Sequence, residues 1–491
     1  MSKPKMSQLA RFRNALRWGV LTASTIGPGS VALSAKAGAN FNQALLWCIL
    51  VATLVSWMMQ DAAGYLAVRV GISLGQGLRK IAPSGMLALL RFLLMTFVLV
   101  GSLAYECNIF SGTMSAIRIV TNNTAVNLVI ALFNGPLCIF LALSGSVDNV
   151  ASALGIVSIL MVVMFAATIS IVGLQPGLAR GIIPSLPEGS VATSLAVMGT
   201  TAVPLNLFLG SSLARGSSFQ FMREGVASAS VLTGVICTLI QAVGTYIYNI
   251  NGGEMMDFDL VRLGNVLREL TGDAGAWCFA IGLYGAGISS ALTIPLGSAI
   301  AVGELMGWNN DAKFGRRCSS WATGGRTCLM CAIIIVGTIP SLCNLPTMPV
   351  IMLAQLVNGM LLPFAASCLV ICVNHRSIMG SHMYTMWGNL FLAPCLFVVF
   401  FLASMVLLEA LAAGSVQQHL LPAALLTCLN MACLSLFVRR ARNSNETSSS
   451  STRGCHLGCF SLKNPLDRVR ESKRRREWTP KELEEVECNS A

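Results

Sequence analysis

The chain has 491 residues, 54% of them hydrophobic and only 11% charged, with a mean hydropathy of +0.69. Soluble domains carry about 25% charged residues, so this composition excludes a soluble globular protein and indicates a multi-pass membrane protein. The formal charge of +12 gives no ground for a nucleic-acid partner, because the basic residues sit in short loops and at the two ends, as in the cytoplasmic segments of membrane proteins.

Apolar runs of roughly 20 residues can cross the hydrocarbon core, and reading the chain this way gives about twelve spans. Residues 1–13 form a basic tail, and no small-residue cleavage site of a leader peptide follows it. Span 1 covers about 14–39 and is interrupted by Gly27-Pro28-Gly29-Ser30. Proline removes an amide donor and clashes with the preceding turn, and glycine favours unwinding. Bare backbone groups at membrane depth are tolerated only where they are buried in protein or line a wet cavity. Span 2 is expected over about 43–70, span 3 with Glu106 over about 87–115, and spans 4 and 5 over about 127–144 and 149–173.

A Pro/Gly-rich loop follows at 174–190. Span 6, about 191–214, is interrupted at Val203-Pro204, and span 7 covers about 226–249. In the more polar stretch 250–272, Phe258, Leu260, Leu263, Val266 and Leu267 are spaced as on a surface helix. Spans 8 to 12 are expected over about 275–307, 325–342, 346–373, 386–411 and 419–438. Residues 439–491 hold a Ser/Asn-rich stretch, a basic run (Lys473–Arg476) and an acidic one, the composition of a disordered tail.

An even number of spans places both termini on one side. Arg215, Arg223, Lys313, Arg316, Arg317, Arg326 and Arg376 share that side, against Arg118, Arg180, Arg262 and Arg268 opposite. The excess makes both termini cytoplasmic and puts the sequon Asn122-Asn123-Thr124 outside. The two proline-centred breaks lie five spans apart, in spans that run in opposite directions. That spacing predicts two inverted repeats, about 14–173 and 191–373, with two extra helices within about 386–438 and a midplane site between the breaks.

Within these segments the residues resemble the natural resistance-associated macrophage protein (NRAMP) family of divalent-metal transporters. GPGSVALSAKAGANFNQALLW (27–47) is similar to the family's first-helix motif, Asp-Pro-Gly-Asn followed by Ala-Gly-Ala and Leu-Leu-Trp. The stretch 184–213 resembles the sixth-helix motif built around Met-Pro-His-Asn-Leu. AQLVNGMLLPFA (354–365) and NHRSIMG (374–380) resemble the tenth helix and the loop after it. The resemblance implies an all-α, leucine-transporter-like fold with helices 1 and 6 broken, and proton-coupled import of manganese- or iron-type ions through a monomeric transport unit.

The departures fall on the chemistry. By this resemblance, the family's aspartate is Gly27 here, its asparagine Ser30, its methionine Val203 and its histidine Leu205; a second histidine is Gly210. Pro28, Gly29, Pro204, Asn206 and Gln355 match, and of an acidic pair on the third helix Glu106 is kept while Ile109 replaces the other. The expected substrate-binding set is therefore Gly27, Gly29, Ser30, Ala202, Val203, Leu205, Asn206 and Gln355. Its side chains are neutral, suited to a hydrated or weakly held cation rather than a dehydrated transition metal, and no metal ligand is assigned.

Glu106 is the candidate proton carrier. Lys36, about two helical turns beyond the break, is either a counter-charge on the pathway or a lysine reaching to water at the outer end. Free amides after Gly29 also suit a carboxylate, so a small organic acid is an alternative substrate and a non-transporting sensor a second one. No nucleophile–base pair or ligand cluster marks an enzyme, and no cofactor is expected.

Overall fold

The computed structural model describes residues 18–81, 86–121, 123–144, 163, 166–170, 173, 178–255, 257–308, 316–411 and 415–443. The N-terminal tail, most of span 5, Asn122, Lys313 and the tail beyond residue 443 lie outside these. The described residues form helices and connecting turns, with no β-strand among them. Ten helices among the described residues are long and apolar enough to cross a membrane. The first span is split in two, and of the predicted fifth span a helical piece at 166–170 (α7) is what the described residues include.

The first span is two short helices, α1 (18–25) and α2 (Pro28–Phe41). Gly27, between them, is extended at φ −119°, ψ −177°, as expected for a residue before proline. The sixth span repeats the device: α8 (Val191–Thr201) ends at Ala202, and α9 starts at Pro204 (Pro204–Ala214) after an extended Val203 at φ −64°, ψ 122°. Between them run α3 (Leu46–Val70), the short α4 (Leu74–Ile81), α5 (Met86–Val120) and α6 (Thr124–Ser144).

After α9 come α10 (Phe219–Ile250), α11 (Leu260–Met306), α12 (Arg316–Leu342) and α13 (Thr347–Asn374). A one-turn α14 (Arg376–Met379) leads to α15 (Met386–Leu411) and α16 (Val416–Asn443). The inverted repeat is visible in the pairing: α10 packs on α2, the second half of span 1, and α3 packs on α9, the second half of span 6.

Close approach at the centre needs small residues. A Cβ on Gly38 would lie 2.2 Å from the Gln241 carbonyl oxygen, and one on Gly244 2.1 Å from that of Ala35. The α2 and α10 backbones therefore touch, as transmembrane helices do where glycine replaces larger side chains. Gly199 and Gly359 do the same for α8 and α13, where a Cβ on Gly199 would lie 2.4 Å from the Gln355 carbonyl oxygen. Almost every residue of α2, α8 and α9 is buried, whereas α6 and α16 present most of their apolar surface outward.

Several boundaries differ from the hydropathy reading; α5 runs on to Val120 and α10 starts already at Phe219. α11 begins at Leu260 because the expected surface helix joins span 8 end to end; a left-handed Gly272 (φ 74°, ψ −174°) turns the corner. Its apolar face is the predicted one, with Phe258, Leu260, Leu263 and Leu267 buried. α12 starts at Arg316, about two and a half turns early, and α16 runs on to Asn443. Arg442 holds that last turn against the α13 end by donating to Asn374 Oδ1 from Nε (3.0 Å) and Nη2 (2.6 Å). Asp61 on α3 accepts two bonds from Arg223 of α10, 2.9 and 3.1 Å, which gives that intramembrane carboxylate a structural partner.

Candidate functional site

Breaking α1 strips carbonyls of their helical partners, and each buried one must find another. Ala23 and Ile26 carbonyls both accept from Ser290 Oγ of α11, at 2.8 and 3.2 Å. The Thr25 carbonyl accepts from Ser30 Oγ and from the Tyr105 hydroxyl of α5 at 3.3 Å. Side chains from α2, α5 and α11 thus bond the carbonyls of the unwound strand.

The two breaks are brought together by direct bonds. Asn206, in the first turn of α9, donates to Thr25 Oγ1 (2.8 Å) and accepts from Ser24 Oγ (2.7 Å). Ser30 of α2 meets Thr200 of α8 across a 2.9 Å hydroxyl pair. The Tyr105 hydroxyl is close to Ser30, Thr200 and Gln355. Ala202 and Val203 line the second break and are buried. Gln355 of α13 and Asn108 of α5 converge on Gly29, where a Cβ would lie 2.5 Å from Gln355 Nε2 and 2.7 Å from Asn108 Oδ1.

Those two carboxamides are the chemically conspicuous groups. Both residues are buried, and all four of their amide atoms lack a hydrogen bond. A buried polar atom left unpaired costs about 1–3 kcal/mol, and native structures keep few of them without a role. Beside them, an apolar cavity of about 20 Å³, room for roughly one water, runs along Val203, Pro204 and Leu205 to Tyr105, Ile294 and Asn358. Leu205 also abuts Gly297, whose Cβ position is 3.2 Å from Leu205 Cδ2.

Of the residues picked from sequence, Gly27, Gly29, Ser30, Ala202, Val203, Asn206 and Gln355 lie at or against the two breaks, and Leu205 lines the adjoining cavity. Gly27 does not point at Gln355: a Cβ there faces Ser290 Oγ at 2.9 Å. Glu106 and Lys36 lie elsewhere. The α5 face carrying Tyr105, Asn108 and Gly112 looks at the break, and Glu106 lies off it, against α12, where a Cβ on Gly337 would be 2.3 Å from its Cγ. Both Glu106 oxygens are buried and unpaired. Lys36 is half-buried on α2 and feels the charge of Asp257 in the loop before α11.

Tyr105, Asn108, Thr25, Thr200 and Ser290 were not singled out by sequence. The available signal was a polar residue inside an apolar span, with Tyr105, Asn108 and Gly112 spaced along one helical face. The residues around the breaks are neutral hydroxyls, carboxamides and carbonyls. Among the described residues there is no group of three or more His, Cys, Asp or Glu that could hold a metal ion.

The comparisons with known proteins agree with this architecture. The family model "Natural resistance-associated macrophage protein-like" matches residues 19–409. The divalent metal cation transporter MntH of Klebsiella pneumoniae (strain 342) is 24% identical over 374 residues, covering 74% of this chain and 86% of the relative. A crystal structure of the Eremococcus coleocola manganese transporter, bound to an aromatic bis-isothiourea compound, superposes with a TM-score of 0.59 at 16% identity, covering 90% of this chain and 96% of the other. MhsT in complex with L-phenylalanine superposes at 0.56 and 14% identity, covering 84% and 100%; at such identities the likeness is one of fold. With the family model spanning both broken helices and the helices that clasp them, this integral, multi-pass chain belongs to the Nramp family.

Proposed function

We propose that the chain is a secondary-active transporter working by alternating access, and that its cargo is a cation carried loosely, with part of its water shell retained. Family membership and the fold support transport. The observation that carries the cargo assignment is the neutral donor set at the breaks: Ser30, Thr200, Asn206, Asn108, Gln355 and the Thr25 carbonyl. Stripping a divalent ion of water costs more than neutral oxygens return, and no carboxylate or thioether stands there to select manganese or iron. A hard, hydrated ion of the magnesium type loses least, because it keeps several waters when bound. For proton coupling two fully buried, unpaired carboxyls stand among the described residues, Glu106 of α5 and Glu304 of α11; we assign the role to Glu106, acting from the α12 side of α5 rather than from the cargo site.

The test is flux into proteoliposomes carrying a proton-sensitive dye, with magnesium, manganese and a panel of amino and keto acids across a pH gradient. We expect saturable, weak flux of magnesium that Gln355→Leu abolishes. Tight, selective manganese binding by calorimetry, lost on changing Ser30 and Gln355, would overturn the reading. A second reading, a carboxylate-bearing solute, is favoured by one observation: the α2 N-terminus has no side-chain cap, and its dipole suits an anion. Organic-acid flux lost in Leu205→Trp would select it, and silence for every solute with thermal stabilisation by one would leave a sensor.

A further inference from the structure

A second, larger cavity lies far along the chain from the breaks. It is a crevice of about 370 Å³ between α13, α15 and α16, lined by Val370, Leu392, Leu396 and Leu434 and bounded at one end by Arg439 and Arg442. That volume falls within the about 300–1,000 Å³ of ordinary ligand pockets. We propose that this crevice binds an anionic phospholipid, with an acyl chain along the apolar wall and the phosphate at the two arginines.

Four observations carry the assignment. The crevice sits where α13 and α16 end and α15 begins, so its polar end lies at the level of the helix termini and its apolar walls run along the spans. Its surroundings are apolar and exposed, as a lipid-facing surface would be: Met386 is 82% exposed, and Trp387, Leu390 and Phe391 are exposed beside it. Arg442 is held in place rather than free. Its Nε and Nη2 donate to Asn374 Oδ1, and Nη2 also to the Tyr384 carbonyl at 2.9 Å, while Asn374 and Asn389 exchange bonds of 2.9 and 3.0 Å. The Nη1 edge of that guanidinium has no partner among the described residues, nor does the exposed Arg439.

Among the described residues no acidic side chain lines the crevice, so none there compensates the charge of the two guanidiniums. The first turn of α15, with Met386 and Asn389 in the lining, adds the positive end of a helix dipole. An occupant must therefore combine a long apolar body with an anionic head at the headgroup level. Basic pockets between transmembrane helices take phospholipid headgroups for these reasons, and arginine binds phosphate through paired N–H donors. The crevice needs no solute from either aqueous phase.

The experiment is thermal unfolding and native mass spectrometry of the full-length protein, delipidated in mild detergent. Phosphatidylglycerol, phosphatidylcholine and inorganic phosphate are added separately. Phosphatidylglycerol is expected to raise the unfolding temperature and remain bound, while phosphatidylcholine and phosphate do neither. Arg439→Gln, which breaks no internal bond, is expected to weaken phosphatidylglycerol retention at least fivefold. Leu434→Trp, which fills the crevice, is expected to abolish it. Equal effects of both lipids, full retention by Arg439→Gln, or stabilisation by phosphate alone overturns the assignment. So does a concentration-dependent dimer lost in Leu434→Trp, which would make the crevice an interface between two copies of the chain.

Discussion

Restoring the family's carboxylate at position 27 tests the geometry of the first break. Gly27 is extended (φ −119°, ψ −177°), a conformation open to any residue, so the obstacle is steric and local. The new Cβ would meet Ser290 Oγ at 2.9 Å and Ser290 Cβ at 3.3 Å. Ser290 must rotate away, giving up its bonds to the Ala23 and Ile26 carbonyls. Leaving those two buried acceptors without the single hydroxyl proton they share costs about 1–3 kcal/mol in all. In a Ser290→Ala background that loss has already occurred, so Gly27→Asp should add little further destabilisation.

A double-mutant cycle by thermal unfolding should therefore show strong sub-additivity, about 1–3 kcal/mol of coupling. The carboxylate also changes metal binding. Its attraction for a divalent ion at about 4 Å, with an effective dielectric constant of about 20, is roughly 8 kcal/mol. Desolvating the carboxylate offsets several kcal/mol of that. A remainder of about 1.5–3 kcal/mol predicts tenfold or greater tightening of manganese in calorimetry on the Gly27→Asp, Ser290→Ala protein. Additive destabilisation together with unchanged manganese affinity would refute both the placement of Gly27 and the claim that lost charge sets the cargo.

Three further outcomes follow from the same site. Gln355→Leu removes two unpaired buried polar atoms, so the variant should unfold at a higher temperature, by about 1–3 kcal/mol of added stability, while flux disappears; destabilisation would mean the carboxamide is satisfied. Asn206→Ala deletes the bonds to Ser24 and Thr25 that join the two breaks. It should lower stability by about 1–3 kcal/mol, read by thermal unfolding in detergent, and reduce flux in proteoliposomes. Glu106→Gln should fold as the parent does, since neither oxygen is bonded, but its flux should lose dependence on the pH gradient. Flux that still follows the gradient would exclude Glu106 as the carrier.

The order of helices, the two breaks and the neutral character of the first and sixth spans were legible from sequence, because each is a local property. A proline lacks its donor wherever it stands, Gly27 and Val203 are pushed to extended backbone by the residue that follows them, and a run of apolar residues is a span whatever it touches. The face of the surface helix at 260–271 could be read for the same reason, from spacing along one element. Which groups complete the site could not be. Asn108 and Glu106 are two residues apart on the same apolar helix, and only the docking of α5 between α2 and α12 puts one at Gly29 and the other against Gly337. Ser290 is one of many hydroxyls in the chain until α11 crosses the unwound strand and aims it at two carbonyls. The continuation of α16 to Asn443 depends likewise on a contact sixty-eight residues away in sequence, between Arg442 and Asn374. Periodicity tells which side of a helix is apolar; it holds no information about which neighbour that side will meet, and the cargo site is built almost wholly from such meetings.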